Sequence, residues 1–401
     1  MEPILKGVRV LGLEQQVAGP TCSMMLADQG AEIIKVERPE GGDTAREMAP
    51  LLKNDAGGVQ SGYFARFNRS KKSLTLDMQK PEGLAVLWDL MRNVDIVVDN
   101  LKPGLMEKLG FTWDKVREAN PALVYVAISG FGRLKKYEGP YSERLAYDII
   151  AQAMAGQMHA CGADADGPPT WLGFALGDSG TGVYAAYAAM LGYVNRLKTG
   201  KGEYMDVSMY DCMVALAERS HNIYNFTGKV VTRGPDTLIA PWGPFPCKDG
   251  YVAIIVPTEA MWKKFLKAID RLDLLENPEL QSGPGRAANM HVVGPIMNAW
   301  LRDKTKVEVC ELLMAQGLPC GPVQTSEEVA RCPHIAERAL RVEVADPVVG
   351  KLTLVGNPIK MAEHETSYAP LPDLGADTDA VLASIGYDPA RIAALRETRA
   401  I

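Results

Sequence analysis

The chain has 401 residues, of which 47% are hydrophobic and 23% are charged, a balance typical of globular proteins. Its length suggests two or three domains and excludes a disulfide-dense mini-protein, while its apolar content excludes a disordered chain. The 43 basic and 49 acidic residues give a net charge of −6, which has the wrong sign for a protein that coats nucleic acid but allows a small anionic ligand.

The predicted elements of the N-terminal half alternate between strands and helices. In chain order they are a strand at 7–13, a helix opened by Pro20, a strand at 31–37, a helix from Pro81, and strands at 94–98 and 123–128. Residues 179–197 are rich in Ala and Gly and predict a helix packed inside the molecule, followed by a strand at 203–208 and a helix to about Asn225. Apolar strands that alternate with helices predict an α/β fold, a doubly wound, Rossmann-like parallel sheet with helices on both faces.

A shift in composition then predicts a domain boundary, because residues 227–250 are rich in Gly and Pro, as linkers are. The pattern beyond it predicts a smaller α+β module. Its expected features are a strand at 251–256, a helix with Trp262 and Phe265 on one side, capping boxes at Thr305 and Thr325, short β structure around Gly350 and a final helix capped by Asp388. We expect a large domain at 1–226, completed by about 330–401, and a linker with a small domain at 227–329.

Membrane and redox roles are not expected from the sequence. The longest nearly uncharged apolar stretch that could be helical, residues 183–194, is shorter than the roughly 20 residues that a bilayer requires. The N-terminal residues contain no basic leader or apolar run. The seven cysteines include no CxxC pair, which favours reduced structural thiols over a metal or redox site. We therefore expect a cytoplasmic protein with no metal ion.

Three polar segments, residues 35–43, 68–74 and 99–104, are predicted to lie at the ends of strands. Basic residues at the carboxyl ends of parallel strands are where an open α/β sheet binds an anion. Solvated surface charge is the alternative for Arg38, Lys71 and Lys72, and composition alone favours it. The first strand-to-helix turn, residues 14–20, lacks the GxGxxG fingerprint, so a nicotinamide dinucleotide is not expected.

An ordered series of short motifs runs from residue 5 to the C-terminus. The series consists of Ala18-Gly19-Pro20, residues 30–37 and 68–74, Pro103-Gly104, Ala146-Tyr147-Asp148, Leu176-Gly177-Asp178-Ser179, and residues 198–202 and 317–322. In this series the chain resembles the class III CoA-transferases, the family of formyl-CoA transferase and carnitine CoA-transferase. The resemblance implies an interlocked homodimer of ring-like chains, in which long linkers join the large and small domains.

The aspartate of the family's Gly-Asp-Ser motif is a nucleophile, and this role carries over to Asp178. The resemblance implies that Asp178 attacks an acyl-CoA, and that a mixed anhydride and an aspartyl-CoA thioester precede transfer to an acceptor acid. No cofactor beyond coenzyme A is then needed. From the neighbouring sequence alone, Asp178 is interpreted as the N-cap of a helix from residue 179, where the helix dipole would keep its carboxylate ionised. The neighbouring Gly177, Ser179, Gly180 and Gly182 are expected to expose amides to a developing oxyanion.

The resemblance also implies two sets of binding residues. The CoA set is Val17, Ala18, Arg38, Leu76, Asn100, Leu101, Lys108 and Leu109. The set around the substrate and the intermediates is Gln16, Val17, Tyr147, Asp148, Gly177 and Ser179. Tyr147 could equally be a half-buried core tyrosine.

Two departures from formyl-CoA transferase put oxalate specificity in doubt. Val17 stands where that enzyme has glutamine, and Gln16 is the candidate substitute. Residues 237–245 contain no run of glycines, whereas the enzyme has a glycine-rich loop.

The expected reaction is CoA transfer between carboxylic acids, with a dicarboxylic or short-chain acyl partner that the sequence does not name. The alternative is an α-methylacyl-CoA racemase, which shares the fold and moves a proton alpha to the thioester. That enzyme commonly has His-Asp where this chain has Tyr147-Asp148, and a tyrosine with a pKa of about 10 is a poor base at neutral pH. A CoA-binding protein without catalysis would require Asp178 to be only a cap.

Overall fold

The computed structural model describes residues 2–401. Its strands are β1 (Arg9–Leu13), β2 (Glu32–Glu37), β3 (Leu51–Lys53), β4 (Val59–Ser61), β5 (Lys71–Thr75), β6 (Ile96–Asp99), β7 (Val124–Ser129), β8 (Tyr204–Ser208), β9 (Trp242–Cys247), β10 (Gly250–Ile255), β11 (Cys320–Pro322), β12 (Arg341–Asp346) and β13 (Gly350–Val355). Its helices are α1 (Ala18–Ala27), α2 (Gly62–Asn68), α3 (Pro81–Arg92), α4 (Leu105–Lys108), α5 (Trp113–Ala119), α6 (Asp148–Met154), α7 (Gln157–Ala160), α8 (Leu176–Thr199), α9 (Met209–Leu216), α10 (Glu218–Thr227), α11 (Glu259–Ala268), α12 (Gly283–Ala288), α13 (Met290–Leu301), α14 (Lys306–Met314), α15 (Ser326–Ala330), α16 (Pro333–Glu337), α17 (Thr378–Ser384) and α18 (Pro389–Glu397). Among these residues no helix is long and apolar enough to cross a membrane, and no group of three His, Cys, Asp or Glu side chains is placed to hold a metal ion.

The central sheet has six parallel strands in the order β5-β2-β1-β6-β7-β8. In register, Leu11 of β1 lies between Ile34 of β2 and Val97 of β6. Helices α3, α5, α17 and α18 cover one face of the sheet, and α1 and α8 cover the other. The predicted α/β class with a parallel sheet is confirmed. The strand order reverses between β1 and β6, and a crevice at the carboxyl ends of such strands is the usual ligand site of an open sheet.

Small residues let α8 approach its neighbours closely. A Cβ added at Gly182 would lie 2.7 Å from the carbonyl oxygen of Ala18 in α1, and one at Gly192 would lie 2.5 Å from Val124 in β7. The N-terminal ends of α1 and α8 are therefore packed side by side. The opposite face of α8 exposes Val183 and Tyr187, so the prediction of a helix buried on all sides does not hold for the single chain.

Several local predictions are confirmed in detail. Thr305 and Thr325 both form capping boxes, Asp388 accepts from the backbone N–H of Arg391, and β12 and β13 pair around Gly350. Other predictions were wrong. Residues 68–74 run into strand β5 instead of following a strand, the helix predicted to reach Asn225 breaks at Ala217, and the 227–250 linker contains β9.

The chain divides into two compact units. Unit 1 comprises the residues up to His159, Trp171–Val231 and Ala336–Ile401, and unit 2 comprises Ala160–Thr170 and Thr232–Ile335. Unit 2 has an antiparallel sheet, β11-β10-β9, whose core includes Trp262 and Phe265. Compactness does not measure independent folding, so the domain limits at residues 226 and 329 stay predictions.

Candidate active site

Asp178 lies in the first turn of α8, in unit 1. The helix begins at Leu176, and its N-cap residue is Ala175, which makes no side-chain cap bond. The N-cap position predicted for Asp178 was therefore wrong by three residues. Among the residues that the structure describes, none donates a hydrogen bond or forms an ion pair with the half-buried Asp178 carboxylate.

Asp148, at the start of α6, takes the place of a cap for α8. Its Oδ1 accepts from the backbone N–H of Gly177 at 2.7 Å and, at a longer 3.4 Å, from that of Asp178. The same carboxylate accepts from Nε2 of Gln152 at 2.9–3.0 Å and from Nε1 of Trp171 at 3.2 Å. A Cβ at position 177 would lie 2.9 Å from Oδ1 of Asp148, so glycine there allows the close approach.

This arrangement sets the ionisation of Asp178. Burial and, second, the negative charge of Asp148 raise the pKa of Asp178 from its ordinary 3.8 to about 7. The expected stabilisation of its anion by the helix terminus is therefore wrong. The main physical reason is burial, and Asp148 adds to it because it occupies the first amides and brings its own charge to the positive end of the helix.

The amides predicted as oxyanion donors are also engaged. The N–H of Gly177 donates to Asp148, and the N–H of Ser179 donates to the carbonyl oxygen of Ala175 at 2.9 Å. The hydroxyl of Ser179 donates to the same carbonyl. Gly177 and Ser179 thus lie beside Asp178 as predicted, but their polar groups serve the helix start.

Two tyrosines differ in their placement. Tyr147 precedes Asp148 and is 65% exposed, which excludes a half-buried core tyrosine in the single chain. Tyr63, in α2, is half-buried, and burial together with the charges of Asp178, Asp148 and Asp43 raises its pKa. Tyr63 was not predicted as a site residue. In the sequence it only follows a serine that caps a helix, a pattern that is common in folded proteins and indicates no site.

A cleft in unit 1 lies at the carboxyl end of β1, beside the β1–β6 reversal. It is lined by three predicted CoA-binding residues, Arg38, Leu76 and Leu101, together with Leu13, Glu14, Gln15, Val36, Glu37, Gly42, Asp43 and Met78. The Arg38 guanidinium donates to the carbonyl oxygen of Gly42 at 3.2–3.3 Å. Leu109 is half-buried on the same core as Leu101, and Lys108 is exposed at the end of α4.

Three other predicted CoA-binding residues, Val17, Ala18 and Asn100, do not line this cleft. Val17 is 1% exposed and Ala18 is 4% exposed. Asn100 uses both ends of its amide on the backbone of Gln15, accepting from its N–H at 2.8 Å and donating to its carbonyl at 2.9 Å. Asn100 therefore fixes the end of β6 to the turn after β1. Gln16, in the same turn, is half-buried and adopts a left-handed φ of 62°.

The structure places the three basic residues in different surroundings. Lys72 makes an exposed ion pair with Glu32 at 2.6 Å, as a solvated surface charge would. Lys71 is buried instead, and its Nζ donates to Oε1 of Glu14 at 2.7 Å. Of the three basic residues considered, Arg38 alone lines the cleft.

The chain is similar to known CoA-transferases over nearly its whole length. It is 33% identical to the formyl-CoA:oxalate CoA-transferase of Rhodopseudomonas palustris, covering 100% of this chain and 98% of that protein. It is 36% identical to the succinyl-CoA:mesaconate CoA-transferase of Haloarcula marismortui, covering 92% of this chain and 93% of that protein.

Solved structures agree with these relatives. A CAIB/BAIF family protein from Brucella suis superposes with a TM-score of 0.84 at 28% identity, covering 96% of this chain and 100% of that one. Rv3272 from Mycobacterium tuberculosis has a TM-score of 0.81 at 30% identity, covering 94% of this chain and 98% of that one. Residues 5–378 match the family described as CoA-transferase family III. The chain therefore belongs to CoA-transferase family III, as its ordered motifs predicted.

Proposed function

We propose that this enzyme transfers CoA from an acyl-CoA to a small carboxylic acid, with Asp178 as the nucleophile. One observation carries the proposal. The Asp178 carboxylate has no hydrogen-bond or ion-pair partner among residues 2–401, while its neighbour Asp148 has its oxygens bonded by four groups. A partly buried carboxylate without partners keeps its lone pairs available for attack on a carbonyl carbon.

The proposed reaction forms and breaks one acyl bond at each step. An Asp178 oxygen attacks the thioester carbonyl, the C–S bond breaks, and CoA leaves as a thiolate from a mixed anhydride. The thiolate then attacks the Asp178 carboxyl carbon, which releases the donor acid as its carboxylate and leaves an aspartyl-CoA thioester. The acceptor carboxylate repeats these two steps in reverse and departs as its CoA ester, which restores the Asp178 carboxylate.

The raised pKa of Asp178 supports this role. With a pKa of about 7 the carboxyl is about half ionised at neutral pH. Its anion is more basic than that of an ordinary aspartate, and nucleophilic reactivity rises with basicity within one class of nucleophile.

The cleft at the end of β1 is the proposed binding site for the nucleotide part of CoA. Leu76, Leu101 and Met78 supply apolar walls for adenine, and the Arg38 guanidinium supplies charge for phosphate. Lys108, exposed on α4, is proposed as a second phosphate contact. Coenzyme A is the only cofactor in this proposal.

The acids are proposed from the chemistry of the relatives. The two relatives are named for formyl-CoA with oxalate and for succinyl-CoA with mesaconate, which are short-chain mono- and dicarboxylic acids. We assign the same class to this chain. Oxalate itself is not part of the proposal, because Val17 and residues 237–245 depart from the pattern of formyl-CoA transferase.

We further propose an interlocked homodimer joined by the long linkers. The exposed face of α8 supports association, since Val183, Tyr187, Leu191 and Val194 recur every three or four residues along it. Light scattering with serial dilution tests this proposal. A folded monomer at micromolar concentration would contradict it.

Trapping of the intermediate tests the mechanism. Wild-type protein incubated with succinyl-CoA and no acceptor should carry CoA on the peptide that contains Asp178, visible by mass spectrometry and removed by hydroxylamine. Asp178→Asn should carry none. An adduct on Asp148 would refute the assigned nucleophile, and deuterium uptake at the acyl α-carbon without CoA exchange would indicate a racemase.

A further inference from the structure

A group of four buried charged side chains lies at the proposed CoA cleft, and the proposed mechanism does not use it. Lys35, Asp43, Glu14 and Lys71 are each at most 5% exposed. Burial lowers the pKa of Lys71 to about 8 against the opposing charge of Glu14. Burial also lowers the pKa of Lys35, but Asp43 and Glu14 outweigh it and raise that pKa above its ordinary value. Charges buried in this way demand specific partners, so their geometry is informative.

The ion pair of Lys35 and Asp43, which we call the clasp, connects two segments that line the cleft. The Nζ of Lys35 donates to the carbonyl oxygen of Glu14 at 2.9 Å and to Oδ2 of Asp43 at 2.8 Å. Glu14 belongs to the turn after β1, and Asp43 belongs to the loop after β2 that carries Arg38. The clasp therefore joins the two walls of the cleft, with Asp43 itself in one wall.

The clasp also holds an unusual backbone conformation. Gln16 has a φ of 62°, in the left-handed region that residues other than glycine rarely adopt. Its backbone N–H donates to the Asp43 carboxylate at 3.2–3.3 Å, and Asp43 also accepts from the N–H of Ala45 at 2.9 Å. Strained backbone persists when surrounding contacts fix it, and such strain often marks a functional site.

We propose that Lys35 and Asp43 are positioning residues that fix the separation of the cleft walls and hold Gln16 left-handed, so that CoA affinity depends on the geometry that this ion pair maintains. The inference rests on the proposed function, because it takes the cleft to be the CoA site. Its test uses CoA itself and calorimetric binding, and so requires no turnover.

Asp43→Asn tests the clasp with a nearly isosteric change. One carbonyl oxygen still accepts from the Gln16 amide, while the charge opposite Lys35 is lost. The Kd for CoA should rise about tenfold. Asp28→Asn is the matched control, because Asp28 forms an equally buried ion pair with Arg69, at 2.7–2.9 Å, after the C-terminal end of α1. This control should lower stability and change the Kd less than about twofold.

A pair of substitutions at Gln16 tests the same inference while the ion group stays intact. Gln16→Gly and Gln16→Val both remove the amide, but valine is hindered at a φ of 62° and glycine is not. Val should weaken CoA binding several-fold more than Gly. In the Asp43→Asn background, Gln16→Gly should recover most of the lost affinity.

The outcomes separate the two proposals. Wild-type protein that binds no CoA would overturn the proposed function and the clasp with it. If wild type binds CoA but Asp43→Asn binds it equally well, or weakens no more than Asp28→Asn, the clasp alone is refuted. Equal affinities for the Val and Gly variants at position 16 would also refute it, whether or not Asp43→Asn folds.

Discussion

Replacing Asp178 by Asn is expected to make the protein more stable at neutral and alkaline pH while it abolishes CoA transfer. Folding raises the pKa of Asp178 from 3.8 to about 7, through burial and the charge of Asp148. The folded state therefore holds a proton that the unfolded chain releases between these two pH values. Stability falls as pH rises through this window, and the full penalty is present above about pH 7.

The size of the effect follows from the same shift. A change from 3.8 to about 7 sets an upper bound of about 4 kcal/mol on the loss in free energy of unfolding that ionised Asp178 causes. The side chain is half-buried, so partial solvent access reduces this to about 2–4 kcal/mol at pH 8. Asn has no charge to desolvate beside Asp148, so the variant should show the gain at pH 8 and almost none at pH 4.

Urea unfolding of both proteins at several pH values between 4 and 8.5 measures this difference. Asp211→Asn is the matched control, because Asp211 also lies in the first turn of a helix, α9, but is exposed. The control should show no gain that grows with pH. A variant Asp178→Asn that is as stable as wild type at pH 8, or less stable, would refute the reasoning about burial and Asp148.

Three further predictions concern the neighbours of Asp178 and the cleft. Arg38→Ala should raise the KM for acyl-CoA about tenfold with little change in kcat, whereas Lys72→Ala, which removes an exposed ion pair, should change neither constant in steady-state assays. Burial and, second, the charge of Asp148 raise the pKa of Asp178, so Asp148→Asn, which removes the second cause, should move the acid limb of the kcat pH profile below pH 7, and an unmoved limb would contradict a contribution from Asp148. Gly177→Ala should lower the free energy of unfolding by about 1–3 kcal/mol in urea titrations, because its Cβ would lie 2.9 Å from Asp148. An unchanged free energy of unfolding would show that α6 can move away from the added methyl group without cost.

The sheet was predictable because its strands are continuous apolar runs. The strand predicted at 123–128 is β7, Val124–Ser129, and the helix predicted from Pro81 begins there. Continuous apolar strands are stable only in a sheet that is covered on both faces, so the sequence pattern alone predicts their burial. The strand at 71–75 was not predicted, because it begins with two lysines and so lacks the continuous apolar run of the other strands. Lys71 can be buried because Glu14, 57 positions earlier, supplies its counter-charge.

Asp178 could be singled out from its Gly-Asp-Ser motif, and the resemblance placed Asp148 in the same site, but the contacts between them were not predictable. Asp148 reaches the helix start from 29 residues before Gly177, and no spacing rule links an aspartate on one helix to the amides of another. Gln152 and Trp171, which complete its hydrogen bonds, left no signal at all in the sequence. Side chains that change the pKa of Asp178 through space can be found only from the tertiary structure.

The placement of Asp148 bears on how Asp178 could act as the proposed nucleophile from the first turn of a helix. A free helix N-terminus would lower the pKa of a carboxylate in its first turn and so reduce its basicity. Here the first amides are already bonded to Asp148, whose charge offsets the positive end of the helix, so the local field at Asp178 favours the protonated form. The helix still fixes the backbone of Asp178 rigidly. The helix thus fixes the position of Asp178, while burial and Asp148 set the basicity of its carboxylate. A conservative change at Asp148 should therefore alter the pH dependence of the reaction more than the fold.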